Sequence, residues 1–207
     1  ISLGALLIAN ETNAISLGDA RSKATEAVRS NENLNALNER FQRFVPTQML
    51  ADIGIKNPTE TALGRHVETH KAVLFADLRA FTGLSEALEA HQIFSLINEF
   101  LSCTVPSIED HGGYVVQYLG DGIMALFPGG TAQAIEAAIA MQRALQDFTM
   151  PAAAGSSSLR MSIGIHEGPV ALGIVGNASR WDASIIADAV NTSSRIESMT
   201  RILGGEI

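Results

Sequence analysis

Gly120-Asp121-Gly122 stands between two short apolar runs, YVVQYL (114–119) and IMALF (123–127), and limits the fold more than any other stretch. Asp-Gly between apolar runs is a strong β-hairpin signal, because a tight turn needs residues that tolerate positive φ. Around the hairpin the chain alternates between strand and helix patterns. KAVLFAD (71–77) is a short apolar run that reads as a buried strand. A helix is expected at about 85–105, with Ile93, Phe94, Ile97, Phe100 and Leu101 on one side and Gly112 and Gly113 as its stop. Beyond the hairpin, Ala134, Ala138, Met141, Leu145 and Phe148 recur by threes and fours, the spacing of a helix with one buried face. PAAAGSSS (151–158) reads as a loop, and LRMSIGIH (159–166) and PVALGIV (169–175) read as two strands. A last helix is expected from Asp188, as its N-cap, to about Arg201. The order β-α-β-β-α-β from Lys71 predicts an α+β fold with a ferredoxin-like split βαβ core. Helices cover one face of such a sheet, and a second subunit is the simplest cover for the other.

Upstream the pattern differs. Residues 15–45 carry Ala20, Ala24, Ala27, Leu34, Leu37, Phe41 and Phe44 at helical spacing, interrupted by Asn31 and Asn38. This imperfect stripe suits either a short dimeric coiled coil or a helix packed on its own domain. Pro46, Gly54, Asn57 and Pro58 break the pattern. The expected division is a signalling or dimerisation helix (1–45), a linker (46–70) and a globular domain (71–207). With 207 residues and 46% hydrophobic content, the chain suits one globular domain plus an appendage. A net charge of −8 without any Lys/Arg-rich run argues against a nucleic-acid partner. The single cysteine, Cys103, leaves no internal disulfide and fits a cytoplasmic setting. Ile1 to Ala9 is apolar but too short to span a bilayer, which takes roughly 20 residues. It also lacks the basic flank of a signal peptide. A chain starting with Ile reads as a fragment of a longer protein, and membrane anchoring of that parent is left open.

Two acids sit where acids are costly. Asp77 ends an apolar strand and Asp121 tops a hairpin between two others. In a split βαβ sheet the first strand lies beside the hairpin, so both carboxylates converge at one sheet edge. Paired carboxylates repel unless a cation neutralises them, and hard oxygen ligands suit Mg²⁺ or Mn²⁺. Taken singly, Asp121 is an ordinary Asp-Gly turn and Asp77 a helix cap. Leu78-Arg79-Ala80-Phe81-Thr82-Gly83 forms a turn whose backbone N–H groups are suited to cradling phosphates. Asn191 and Arg195, four apart on the last helix, share a face, and a guanidinium suits a transferring phosphoryl group. Singly they read as a solvated surface pair.

FADLRAFTGLSE (76–86), HGGYVVQYLGDGIMALFP (111–128), GIHEGPVALGIVG (164–176) and SIIADAVNTSSRIE (184–197) together resemble the class III adenylate/guanylate cyclases. RFVP (43–46) and LGRHVETHKAVLFADLR (63–79) resemble bacterial, cyanobacterial-type members in particular. The resemblance covers about residues 43 to 207 in the family's order. It implies conversion of ATP to 3′,5′-cyclic AMP and pyrophosphate at a homodimer interface. Asp77 and Asp121 would hold two Mg²⁺ or Mn²⁺ ions, the Leu78 carbonyl would add a ligand, Arg195 would stabilise developing charge and Asn191 would position the ribose. An upstream sensor domain in the parent is also implied. Base recognition departs from the family pattern. Adenylate cyclases of this type carry lysine where Gln117 stands, and Asp or Thr where Ser184 stands. Glutamine and serine both donate and accept, which fits adenine and is less hostile to guanine. Guanylate cyclase or dual-specificity activity, and a catalytically silent nucleotide-binding or dimerisation module, are the alternatives. The family domain usually runs a few dozen residues further than Ile207.

Other motifs carry less. RILGGEI (201–207) lacks the second acid of a diguanylate cyclase motif and fits a helix-ending glycine turn. His66 and His70 lack the adjacent glutamate of a zinc helix and lie in an extended segment. His166 is expected to pack near the sheet, and Trp181 to anchor a loop or an interface. GIVGNAS (173–179) is no dinucleotide fingerprint.

Overall fold

The computed structural model describes residues 23–40, 44, 46–55, 61–79, 81–146, 148 and 159–207, with only the backbone described at Thr82 and Ala87. It divides into two compact units, Ile1–Val45 and Pro46–Ile207. In the first, residues 23–40 form helix α1, exposed along its length, with Val28, Leu34 and Leu37 all facing solvent. Ala20 and Phe41 of the expected stripe lie outside the described residues. Among the described residues no helix is long and apolar enough to cross a membrane.

The second unit runs α2 (Thr47–Asp52), β1 (His66–Leu78), α3 (Phe81–Ala87), α4 (Ala90–Asp110), β2 (Tyr114–Leu119), β3 (Gly122–Phe127), α5 (Thr131–Gln146), β4 (Met161–Gly176), β5 (Trp181–Ile186) and α6 (Asp188–Leu203). Its five strands form one antiparallel sheet in the order β2-β3-β1-β4-β5. The first four have the expected split βαβ arrangement, with β1 between the hairpin and β4.

The core lies between one sheet face and the helices α4 and α5. Ala72, Leu74, Ala76 and Leu78 of β1 meet Leu96, Phe100 and Ile108 of α4 and Ala134, Ala138, Met141 and Leu145 of α5. Side chains alternate across a strand, so these even-numbered residues share one face. Fully burying a side chain such as Phe100 or Met141 contributes about 1.5–3 kcal/mol. The buried stripe of α4 is Leu96, Phe100, Thr104 and Ile108, whereas Phe94, expected inside, is exposed. Glu167 of β4 accepts from the Thr131 N–H at 2.7 Å and also from its hydroxyl, closing the first turn of α5.

Several boundaries differ from expectation for identifiable reasons. The segment read as a linker holds α2, whose Met49 and Leu50 are buried, and β1 begins at His66 rather than Lys71. Residues His66 to His70 pair with β4 alone, since β3 joins only from Ala72. One-sided pairing leaves an alternating, polar sequence that resembles a loop. The two strands expected at 159–166 and 169–175 are one strand, β4, continuous through Pro169. Ile163 directs its N–H away from β1, to the carbonyl of Glu206. By alternation the Pro169 nitrogen points the same way, where β5 pairs only from Ala171, so no ladder bond is lost. WDASII (181–186) is a strand that periodicity did not single out, and Trp181 opens it, half exposed. Asp188 is the first residue of α6, not its N-cap, which is Ala187.

The second sheet face is not left wholly to another subunit. Helix α6 of the same chain covers part of it. Ser193 Oγ lies 3.0 Å from the Val73 carbonyl, and a Cβ at Gly164 would come within 2.2 Å of the Glu197 nitrogen and 2.3 Å of the Ser193 carbonyl. Only glycine lets helix backbone approach a strand this closely. Gly164→Ala should therefore push α6 off the sheet and cost about 2–3 kcal/mol. Urea denaturation is the check, and an unchanged midpoint would contradict the close contact.

Candidate active site

Asp77 is the penultimate residue of β1 and pairs with Gly122. It lies on the odd-numbered face with Val73 and Phe75, the face that α6 covers. Leu119 pairs with Gly122, so Gly120-Asp121 is a two-residue hairpin loop, with Gly120 at φ 71°. At Gly122 a Cβ would sit 3.3 Å from Asp77 Oδ1. The missing side chain makes room for the Asp77 carboxylate beside the turn that carries Asp121. The sequence therefore brings the two acids together through register and a vacant Cβ position.

The energetics match that proximity. Burial raises the Asp121 pKa above the ordinary carboxylate value. The negative charge of Asp77 and a hydrogen bond to it raise it further, and Arg201 offsets only part. Two carboxyl groups in hydrogen-bonding reach of each other favour a divalent cation or a shared proton. Among the described residues no group of three or more His, Cys, Asp or Glu is placed to hold a metal. The donor set is a two-carboxylate one that leaves positions for backbone, water and phosphate oxygens, as a hard cation such as Mg²⁺ takes.

The turn after Asp77 is narrower as a phosphate cradle than its sequence implies. The Arg79 N–H already donates to the Arg160 carbonyl at 2.7 Å, and Arg79 Nε donates to Ser162 Oγ at 2.7 Å. The backbone N–H and Nε of Arg79 are thus engaged by residues 160 and 162, while its buried Nη2 has no hydrogen-bond partner among the described residues. Phe81 opens α3, Leu78 is buried at the end of β1, and Ala80 and the Thr82 side chain lie outside the described residues.

Asn191 and Arg195 share the solvent face of α6 with Met199 and Ile202. Ala189, Ser193, Glu197 and Thr200 form the buried face. Among the described residues no hydrogen bond or ion pair engages the Asn191 or Arg195 side chains. Asn191 borders a cavity of about 450 Å³ with Ile185, Asp188 and Val190. The carboxylate pair and the Asn191/Arg195 pair therefore lie on different sides of α6, and one chain does not bring them together. Gln117 and Ser184 are likewise apart in sheet order. Gln117 follows an irregularity in β2, Ser184 is on β5, and these are the two edge strands.

Sequence reasoning missed Glu197 and Arg201. Arg201 Nη1 lies 3.2 Å from Asp77 Oδ2, and its Nη2 lies 3.1 Å from Glu197 Oε2. The available signal was a glutamate on the buried stripe of α6, followed four residues later by an arginine. His66 and His70 do not converge on a metal. His66 Nδ1 lies 2.9 Å from the Gly64 carbonyl and His70 Nδ1 lies 3.3 Å from Glu167 Oε1. Gly204, at φ 74°, ends α6 in the left-handed conformation expected of a glycine stop.

Residues 66–203 match the family of adenylate and guanylate cyclase catalytic domains. An adenylate cyclase of Anabaena cylindrica is 39% identical over 173 residues, covering 81% of this chain and 34% of that protein. The chain thus spans about a third of that relative's length. Among solved structures, a bacterial light-regulated adenylyl cyclase superposes with a TM-score of 0.71 at 25% identity, over 83% of this chain and 51% of that one. The guanylyl cyclase Cya2 superposes with a TM-score of 0.57 at 30% identity, over 64% and 71%. The split βαβ sheet, the carboxylate pair at its edge and the span of the match agree: this chain belongs to the class III adenylate/guanylate cyclase catalytic-domain family.

Proposed function

We propose that this chain is an adenylate cyclase that closes ATP into 3′,5′-cyclic AMP and releases pyrophosphate, working as a homodimer. The observation that carries the reading is the Asp77–Asp121 pair, one carboxylate at the end of β1 and the other in the adjacent hairpin turn, where burial and the charge of Asp77 make the ionised Asp121 costly until a cation arrives. Divalent ions held there, with the Leu78 carbonyl, would acidify the ribose 3′-hydroxyl and neutralise triphosphate charge. The 3′-oxygen then bonds to the α-phosphorus as the bond to pyrophosphate breaks, in line.

The remaining roles fall to the outward face of α6. Arg195 carries a permanent charge into the site and stabilises the negative charge that develops on the phosphoryl oxygens. Asn191 orients the ribose, and correct orientation contributes to rate by placing the hydroxyl for attack. Both residues face away from the carboxylates of their own chain, which supports a site completed across a dimer interface. A substrate drawn from the nucleoside triphosphate pool puts the domain in the cytoplasm. The Anabaena relative is an adenylate cyclase, which favours ATP. Gln117 and Ser184 donate and accept alike, so selectivity against GTP is weak.

Four results are expected. Purified protein with Mn²⁺ should make cyclic AMP from ATP and a smaller amount of cyclic GMP from GTP. No cyclic product from either nucleotide would leave only a nucleotide-binding module. Asp77→Ala and Arg195→Ala should each lower activity by about 100- to 1,000-fold. Mixed in equal amounts, the two variants should regain about a quarter of the wild-type rate, because random pairing puts one intact site in half the dimers. A mixture no more active than its parts contradicts the shared site. Gln117→Lys should raise the ATP/GTP ratio of kcat/KM by roughly tenfold, since lysine only donates and guanine offers a donor at the corresponding ring nitrogen. An unchanged ratio removes Gln117 from base recognition.

A further inference from the structure

The carboxylate pair already has a cation. Arg201, in the last turn of α6, places one guanidinium nitrogen on Asp77 and the other on Glu197, at 3.2 and 3.1 Å. Its charge reaches Asp121 as well. Glu197 is 5% exposed, and its second oxygen, Oε1, is buried with no hydrogen-bond partner among the described residues. A buried carboxylate oxygen left without a donor is costly, so a nearby donor that turns toward it gains. Arg201 is that donor. It is four residues further along the helix, on a flexible stem, and its fork fits both oxygens of one carboxylate.

The charges favour such an exchange. Asp77, Asp121, Glu197 and Arg201 together carry three negative charges and one positive. A divalent cation at Asp77 and Asp121 competes with Arg201 for Asp77 Oδ2 and repels the guanidinium at short range. We propose that Arg201 is the resident counter-cation of the aspartate pair, a positioning residue that holds Asp77 until a divalent ion displaces it onto Glu197. In this two-position arrangement the metal-free chain keeps Asp77 neutralised and ordered. In the metal-bound chain Arg201 makes a paired-fork contact with Glu197, which satisfies Oε1. Arg201 thereby sets the metal concentration at which the site fills. The proposal rests on the metal role of Asp77 and Asp121 given above.

The test is Mn²⁺ binding to the 207-residue chain without nucleotide, by titration calorimetry or electron paramagnetic resonance. Arg201→Met should bind Mn²⁺ roughly two- to fivefold more tightly, the range that a half-exposed ion pair is worth. Arg160→Met removes the same charge from the separate Arg160–Glu206 pair, 3.6 Å apart, and should change affinity less. Glu197→Gln takes away the alternative position and should weaken Mn²⁺ binding. Should Arg201→Met fail to fold by circular dichroism, Arg201→Gln carries the same expectation. Binding by the Arg201 variant that is unchanged, weaker or no tighter than for Arg160→Met overturns the proposal. Asp77→Asn separates the two levels. Loss of Mn²⁺ binding there with unchanged affinity at Arg201 overturns only the role of Arg201. A wild-type chain that takes up no Mn²⁺ overturns the metal site and this proposal with it.

Discussion

Strand β1 is held on both sides, by β3 along one edge and by β4 along the other, and its last paired residues decide what the molecule can do. Pairing with β3 ends with Asp77 opposite Gly122, one residue from the hairpin turn that carries Asp121. A shift of one residue would send Asp77 to the face packed by α4 and α5, because side chains alternate strictly along a strand. The apolar residues Ala72, Leu74, Ala76 and Leu78 prevent that shift. Hydrophobic burial on one face thus sets the position of charge on the other. The site's repulsive carboxylate pair is maintained by core packing that has no electrostatic content of its own.

Helix α6 plays two parts that its periodicity separates. Its buried side lies on β4 and β1 so closely that Gly164 must lack a side chain, and it sends Arg201 to Asp77. Its outer side offers Asn191 and Arg195 to whatever approaches. On the proposed reading, a single rigid element would link the metal half of one site to the phosphoryl-stabilising half of another. Displacement of α6 would then alter both at once, so that a change in the arrangement of two chains would act on catalysis without any new chemical group.

A second polar cluster ties α2 to the same sheet. Lys71 of β1 is 5% exposed and meets Asp52 at 2.9 Å, and the Tyr114 hydroxyl donates to the same carboxylate. Burial, with the hydrogen bond to Asp52 next, raises the Tyr114 pKa and keeps the phenol protonated as a donor. Breaking such a pair leaves a buried charge uncompensated, so the cluster specifies where α2 sits more than it adds stability. Arg65 reinforces the arrangement by donating to the Gly54 carbonyl at 2.9 Å.

The sequence by itself determined the class of fold, the hairpin and the identity of the acids, because these follow from local signals. Asp-Gly between apolar runs encodes a turn, threefold and fourfold spacing encodes a helix face, and an acid at the end of an apolar strand stands out from its neighbours. It missed β5, the first part of β1 and the continuity of β4 through Pro169, because strands paired on one side alternate in polarity and resemble loops. It also missed Arg201 and Glu197 beside Asp77, and the bond that Arg79 Nε makes to Ser162. These are matters of which groups meet across more than 80 residues of chain, as Arg79 and Ser162 do at a separation of 83. Only tertiary packing decided them, since the partner that satisfies a charge is chosen by distance in space and leaves no periodic trace in the order of residues.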